Sequence, residues 1–191
     1  YASSGNGTIV QLTAELFKAQ AGLFVVHIPY KGTALAIPDL VSGKLDVMFD
    51  SLPSGMPHVR DGRLRALGVT TLKRSPLVPE LPAIAEVVPG YESVTWFGMF
   101  GPAKMQRPVV TRLNNEMVKV LNQPDIKAKL EEMGNFVIAN SSEEFAVLMR
   151  KGSDLFGKVI ANAVEWARPQ GVWIDSCPNA KNPPEKISSK R

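Results

Sequence analysis

The sequence has a single cysteine, Cys177, and only two histidines, His27 and His58. One cysteine cannot close an internal disulfide, and a metal site would need partners that the two scattered histidines do not supply. No metal site is expected, and both histidines read as core or edge residues. No apolar run approaches the ~18 residues of a membrane span, so direct membrane insertion is not expected. A charged-then-apolar leader is also missing from the start of the chain. GxxxxGK[ST], GxGxxG and G-x-S-x-G are all absent, which removes the motif-level case for a nucleotide cofactor or a serine hydrolase. No cofactor is expected.

What is present is ordinary for a globular protein with a real core: 191 residues, 45% hydrophobic and 21% charged. That length suits one domain or two small ones. The net charge of +4 is unevenly placed. Residues 167–191 hold five basic and two acidic side chains, so most of the excess sits in a Pro-rich terminal stretch. A nucleic-acid footprint should cluster on one folded face, so nucleic acid is not an expected partner.

Two periods alternate through the first 70 residues. Ile9, Leu12 and Leu16 recur at helical spacing with Phe17 beside them, and Gly22 follows as a stop. FVVHI (24–28) reads as a strand closed by Pro29, and TALAIPDLVSG (33–43) as a short helix. Pro38 must lie in that helix's first turn or bend it. LDVMF (45–49) and LRALGVT (64–70) read as two more strands around a helical turn at 54–62. Strands alternating with helices point to right-handed crossovers and a parallel sheet. The stub Tyr1-Ala2-Ser3 looks like the end of a strand too short to be a good sheet member.

Beyond a Pro-rich connector (75–90), VTWFGMFGP (94–102) and FVIA (136–139) read as strands. Helices are expected at 107–122, with Pro108 near its start, at 125–134, and at 141–166, where Ser141 and Glu144 form a capping box. Residues 167–191 show neither period and read as a disordered tail.

One short stretch suggests chemistry. In SSGNGT, Gly5 and Gly7 can take positive φ, and Ser3, Ser4 and Thr8 offer hydroxyls. A helix starting near Thr8 would present free N–H groups and a positive dipole end. Such a strand–turn–helix junction is an anion cradle. It falls at the carboxyl end of a strand, where open α/β sheets bind ligands. The loops Pro29–Thr33 and Asp50–Pro53 should open on the same crevice edge. A plain capped helix after a glycine turn accounts for the same residues without a ligand. Lys31, Asp46 and Asp50 also read as simple turn and edge charges.

The segments YASSGNGT, HIPYKG, DVMFD, RLRALGVTT, KRSP and WFGMFGPA occur in this order and at family-like spacing. Together they resemble the Bug-type solute receptors, the extracytoplasmic receptors of tripartite tricarboxylate transporters. The resemblance runs from Tyr1 to about Trp166. It implies an α/β fold of the type II periplasmic binding protein kind, a clamshell with a parallel or mixed sheet and flanking helices, incomplete in this chain. It implies a second lobe at 1–92 and a mostly helical return segment to the first lobe at 93–166. The first lobe and a secretion signal are then expected to be missing. By the same resemblance the protein is not an enzyme. It would bind a small organic acid (a di- or tricarboxylate, an acidic amino acid or an aromatic carboxylate) in the periplasm and deliver it to the membrane subunits of the tripartite transporter. The family's second-lobe loop matches Ser3, Ser4, Gly5, Asn6, Gly7 and Thr8, and Tyr30, Gly32 and Asp50 fall on motifs near the same cleft. This sequence departs from the family at Gln11-Leu12, where a histidine is frequent, and in residues 167–191.

Three rival readings use the same residues. The fold also serves as the effector-sensing half of LysR-type regulators, which an upstream helix-turn-helix would reveal. A hydrolase would use Ser3 or Ser4. A truncated remnant would do nothing.

Overall fold

The computed structural model describes residues 1–167; the tail expected to be disordered lies, beyond Ala167, outside the described residues. The described chain is mostly helical around a small parallel sheet. In chain order its elements are β1 (Ala2–Ser3), α1 (Ile9–Ala21), β2 (Ile28–Pro29), α2 (Thr33–Val41), α3 (Leu52–Arg60), α4 (Arg107–Leu121), α5 (Pro124–Glu132) and α6 (Ser142–Ala167). A 3-10 turn at Ile84–Glu86 lies inside the Pro-rich connector.

The stub Tyr1-Ala2-Ser3, expected to be a poor sheet member, is the centre of the sheet. β1 pairs in parallel with β2, Ala2 opposite Ile28 and Ser3 opposite Pro29, and its other edge carries a parallel bridge from Ala2 to Met48. Tyr1, Ala2 and Ser3 are all buried. Pro29 does not close the second strand but belongs to it. Ile28 N–H bonds the Tyr1 carbonyl and Tyr30 N–H the Ser3 carbonyl, so the donor that proline lacks is not needed toward β1. The expected strand 45–49 shrinks to the Met48 bridge.

The expected strand 64–70 does not join this sheet. Val69 makes an isolated parallel bridge to Ala83, with Val69 N–H on the Pro82 carbonyl. Gly68 permits it, because a Cβ there would lie 3.0 Å from the Pro82 oxygen. Residues 94–102 and 136–139 form no strand: no partner edge exists beside them among the described residues, and Ala139 turns to φ +48°. Trp96 and Phe100 instead gather around Phe145 of α6, with ring centroids 5.1 and 5.6 Å from it. A side chain at Gly98 would collide with Phe145.

The helices follow the sequence more closely. α1 ends at Gly22, which takes the left-handed conformation at φ +65°. Pro38 sits inside α2 rather than in its first turn. The helical turn expected at 54–62 begins earlier, at Leu52-Pro53, where proline fits the first turn of α3. α6 carries the expected capping box: Ser141 N–H donates to Glu144 Oε2 at 2.8 Å, and Glu144 N–H to Ser141 Oγ at 3.2 Å.

Two apolar clusters cover the two faces of the sheet. Ala2, Ala36 and Leu45 pack with Met48 on the α2 side. Leu16, Tyr91 and Val159 pack with Phe17 and Phe49 on the α1 side, which α6 covers. Met48 and Phe49 thus face opposite ways, as strand alternation requires. A third cluster, Val69, Val78 and Ala83, holds the connector.

Candidate functional site

The strand order, β2–β1–Met48, decides where a crevice opens. The chain leaves β1 through α1 to one side and then passes through α2 to the other side of β1. All three strand ends point the same way, so the loops 3–8, 30–32 and 50–51 and the N-termini of α1, α2 and α3 share one edge. The direction of crossing switches between β1 and the Met48 strand. Open parallel sheets hold ligands at such a switch point.

The loop 3–8 is held from below and from the side. Tyr30 N–H donates to the Ser3 carbonyl and Gly32 N–H to the Ser4 carbonyl, each at 3.0 Å. Gly5 lies at φ +140° and Gly7 at φ +74°, the conformations anticipated for both. A Cβ on Gly5 would stand 3.3 Å from the Tyr30 oxygen. Thr8 precedes α1 with extended backbone, yet its hydroxyl does not cap the helix; it donates to the Gly5 carbonyl at 2.7 Å. The first helical bond of α1 runs from Leu12 N–H to the Thr8 carbonyl, so the N–H groups of Ile9, Val10 and Gln11 precede the ladder. No acidic side chain occupies that first turn.

Ser3 does not face the crevice. It is fully buried, and its hydroxyl meets His27 Nε2 at 2.6 Å while bonding both the carbonyl and the N–H of Gly5. Ser4 is partly buried, and Asn6 and Gly7 are exposed, so these carry the loop's open surface. Tyr30 and Gly32 reach the same edge from β2. The Tyr30 hydroxyl, however, donates to Asp39 Oδ2 at 2.8 Å, which raises its pKa and lowers that of Asp39. Asp50 accepts the Ser51 N–H at 2.9 Å, so the chain's own carboxylate already fills the entrance to α3. A second anion is repelled there, whereas the entrances to α1 and α2 carry no acidic side chain in their first turns.

Two residues escaped the sequence reading. His27, expected as a plain core or edge histidine, lies against Ser3. Gln11, noted only as a departure from the family pattern, reaches His27 Nδ1 with its Nε2 at 3.2 Å and takes the Gly7 N–H on Oε1 at 2.6 Å. His27 also stacks on Tyr1, with centroids 4.8 Å apart and 20° between planes. Burial holds its pKa below the usual imidazole value. Helical spacing alone places Gln11 one turn inside α1; only the β1–β2 register brings His27 beneath it. The Ser3–His27 contact does not make a nucleophile, because Ser3 is sealed from solvent. Among the described residues no cluster could hold a metal ion, and no helix is long and apolar enough to cross a membrane.

Residues 1–164 match the family model described as the tripartite tricarboxylate transporter family receptor. The UPF0065 protein in the tcbD–tcbE intergenic region of a Pseudomonas species is 40% identical over 162 residues, 84% of this chain and 48% of that protein. The UPF0065 protein in the clcB–clcD intergenic region of Pseudomonas knackmussii is 36% identical, over 83% of this chain and 95% of that shorter protein. Among solved structures, an R. palustris protein with adipate superposes at TM-score 0.70 and 34% identity, over 90% of this chain and 56% of that one. A periplasmic transporter superposes at 0.75 and 31%, over 92% and 56%. MatC from Rhodopseudomonas palustris with bound malate superposes at 0.71 and 26%, over 83% and 55%. The chain thus spans about half the length of the first of these relatives and of the solved structures. A match over nearly all the described residues shows that this chain is a member of the tripartite tricarboxylate transporter receptor family.

Proposed function

We propose that this chain forms the ligand-gripping part of a periplasmic receptor that captures a small organic acid for the membrane subunits of a tripartite tricarboxylate transporter. The observation that carries the reading is the uncapped α1 entrance at the sheet's switch point, walled by Ser4, Asn6 and Gly7. N–H groups ahead of the helical ladder, a positive dipole end and no acidic side chain in the first turn suit one carboxylate group. Adipate and malate, bound by structural relatives, are acids of this class. The finer architecture goes with this reading. Residues 1–92 act as one lobe of a type II clamshell, and residues 93–166 are the return segment.

This chain supplies one wall of the crevice, so adipate is expected to bind at the millimolar level, far weaker than in a closed two-walled pocket. The test is a titration of the 191-residue chain with adipate and with malate, followed by backbone amide NMR. Shifts should centre on residues 4–10. Asn6→Asp, which adds a negative charge on the exposed loop, should weaken binding at least tenfold. Unchanged loop resonances with both acids would refute the assignment.

A further inference from the structure

The side chains behind the loop fix one another's hydrogen bonds in a single direction. Gln11 Oε1 accepts the Gly7 N–H at 2.6 Å, so Gln11 turns its Nε2 toward His27. An amide nitrogen only donates, so His27 Nδ1 must accept and carry no proton. The ring proton then sits on Nε2 and is donated to Ser3 Oγ, 2.6 Å away. Ser3 in turn donates to the Gly5 carbonyl at 3.1 Å and accepts the Gly5 N–H at 3.2 Å. Both glycines of the loop are therefore tied to one imidazole, Gly5 through Ser3 and Gly7 through Gln11.

We infer that Gln11 and His27 are positioning residues for the loop 3–8, which keeps this conformation only while His27 is neutral. A proton on Nδ1 would face the Gln11 amide hydrogens. The amide must then turn to present its oxygen, which leaves the Gly7 N–H facing an NH2 group and frees that end of the loop. The ring has little room to evade this, being stacked on Tyr1 and held at both nitrogens. The charged groups acting on it are Glu15 and Lys18 of α1 and the Tyr1 ammonium beside β1. Glu15 favours the imidazolium and the two cations oppose it. Glu15 is also bound by Lys18 at 2.9 Å and by the Tyr1 hydroxyl, which draws its charge away from the ring. Burial is the largest influence and favours the neutral ring, so the switch lies on the acid side of the usual imidazole value of 6.5. The inference rests on the receptor reading only in giving the loop a ligand.

The experiment follows the ligand-free 191-residue chain by 15N NMR from neutral to mildly acidic pH. His27 should show the Nε2–H tautomer at neutral pH, and the Gly5 and Gly7 amides should shift with the same midpoint as the ring. Gln11→Glu supplies an acceptor to both Gly7 and a protonated Nδ1. In that variant the His27 midpoint should rise above that of the unsubstituted chain, and the Gly7 shift should no longer follow it. His27→Gln should leave both glycine amides flat across the same range. A Gly7 amide indifferent to the titration of His27, an Nδ1–H tautomer, or a Gln11→Glu midpoint that falls would each overturn the inference. Adipate is titrated separately, so an inert loop with good adipate binding and a responsive loop with none are distinct results.

Discussion

Gly5 and Gly7 both take positive φ, but the space around them differs, and so should the cost of a methyl group. At Gly7, with φ +74°, nothing lies within 4 Å of an added Cβ. Only the left-handed backbone is charged for, about 1 kcal/mol. At Gly5, with φ +140°, the Cβ also stands 3.3 Å from the Tyr30 oxygen, the carbonyl beside the N–H that pairs with Ser3. Gly5→Ala should therefore destabilise the chain by about 2 kcal/mol or more and Gly7→Ala by about half that, measured by urea unfolding. Equal losses would mean that the Gly5–Tyr30 approach does not constrain the loop. The glycines were legible because their spacing after a strand end is local information. His27 and Gln11 were not, because their meeting depends on which residue of β2 stands beside Ser3. No local pattern carries that register.

At the scale of elements, helices were more legible than the extent of the strands, for one physical reason. A helix closes its hydrogen bonds within its own segment, so its capping box and glycine stop can be read in place. A strand needs a neighbour. LRALGVT and VTWFGMFGP have strand-like composition, but their residues find a connector and the Phe145 side chain instead of a sheet edge. β1 shows the converse, a weak-looking stub made central by partners on both edges. Tyr91 packs where the late helix α6 meets the early helix α1. It is fully buried, packs with Leu16 and Val159, and donates its hydroxyl to the Thr13 carbonyl at 3.1 Å. The neighbouring Thr13 and Ser93 hydroxyls meet at 2.6 Å. Tyr91→Phe should cost about 1 kcal/mol for the lost bond. Tyr91→Ala should cost about 3–5 kcal/mol for the emptied volume and should raise amide exchange in α6 as well as α1. Exchange rising in one helix alone would show that Tyr91 does not couple them.

At the scale of the molecule, many large apolar side chains stand exposed among the described residues. Val26, just ahead of β2, is 61% and Ile28 42% exposed, and no strand pairs with the outer edge of β2 among the described residues. Further along the chain Phe97 is 87%, Phe100 65% and Met99 56% exposed, and Ile138 is 66% exposed. Two physically different surfaces result. The β2 edge offers unpaired backbone groups and invites strand addition, whereas the Phe97 region offers only side chains. The 191-residue chain should therefore self-associate as its concentration rises, and sedimentation velocity can separate the two routes. Val26→Lys places a charge beside the open edge and should weaken association through strand pairing. Phe97→Lys should weaken association through the aromatic patch. Burial of side chains without directed hydrogen bonds responds to excluded salts such as sulfate, so the Phe97-dependent part should grow as sulfate is added while the Val26-dependent part changes less. A chain that sediments as a monomer across the accessible concentration range, with or without sulfate, would mean that neither surface is adhesive. The apolar exposure would then be tolerated rather than functional.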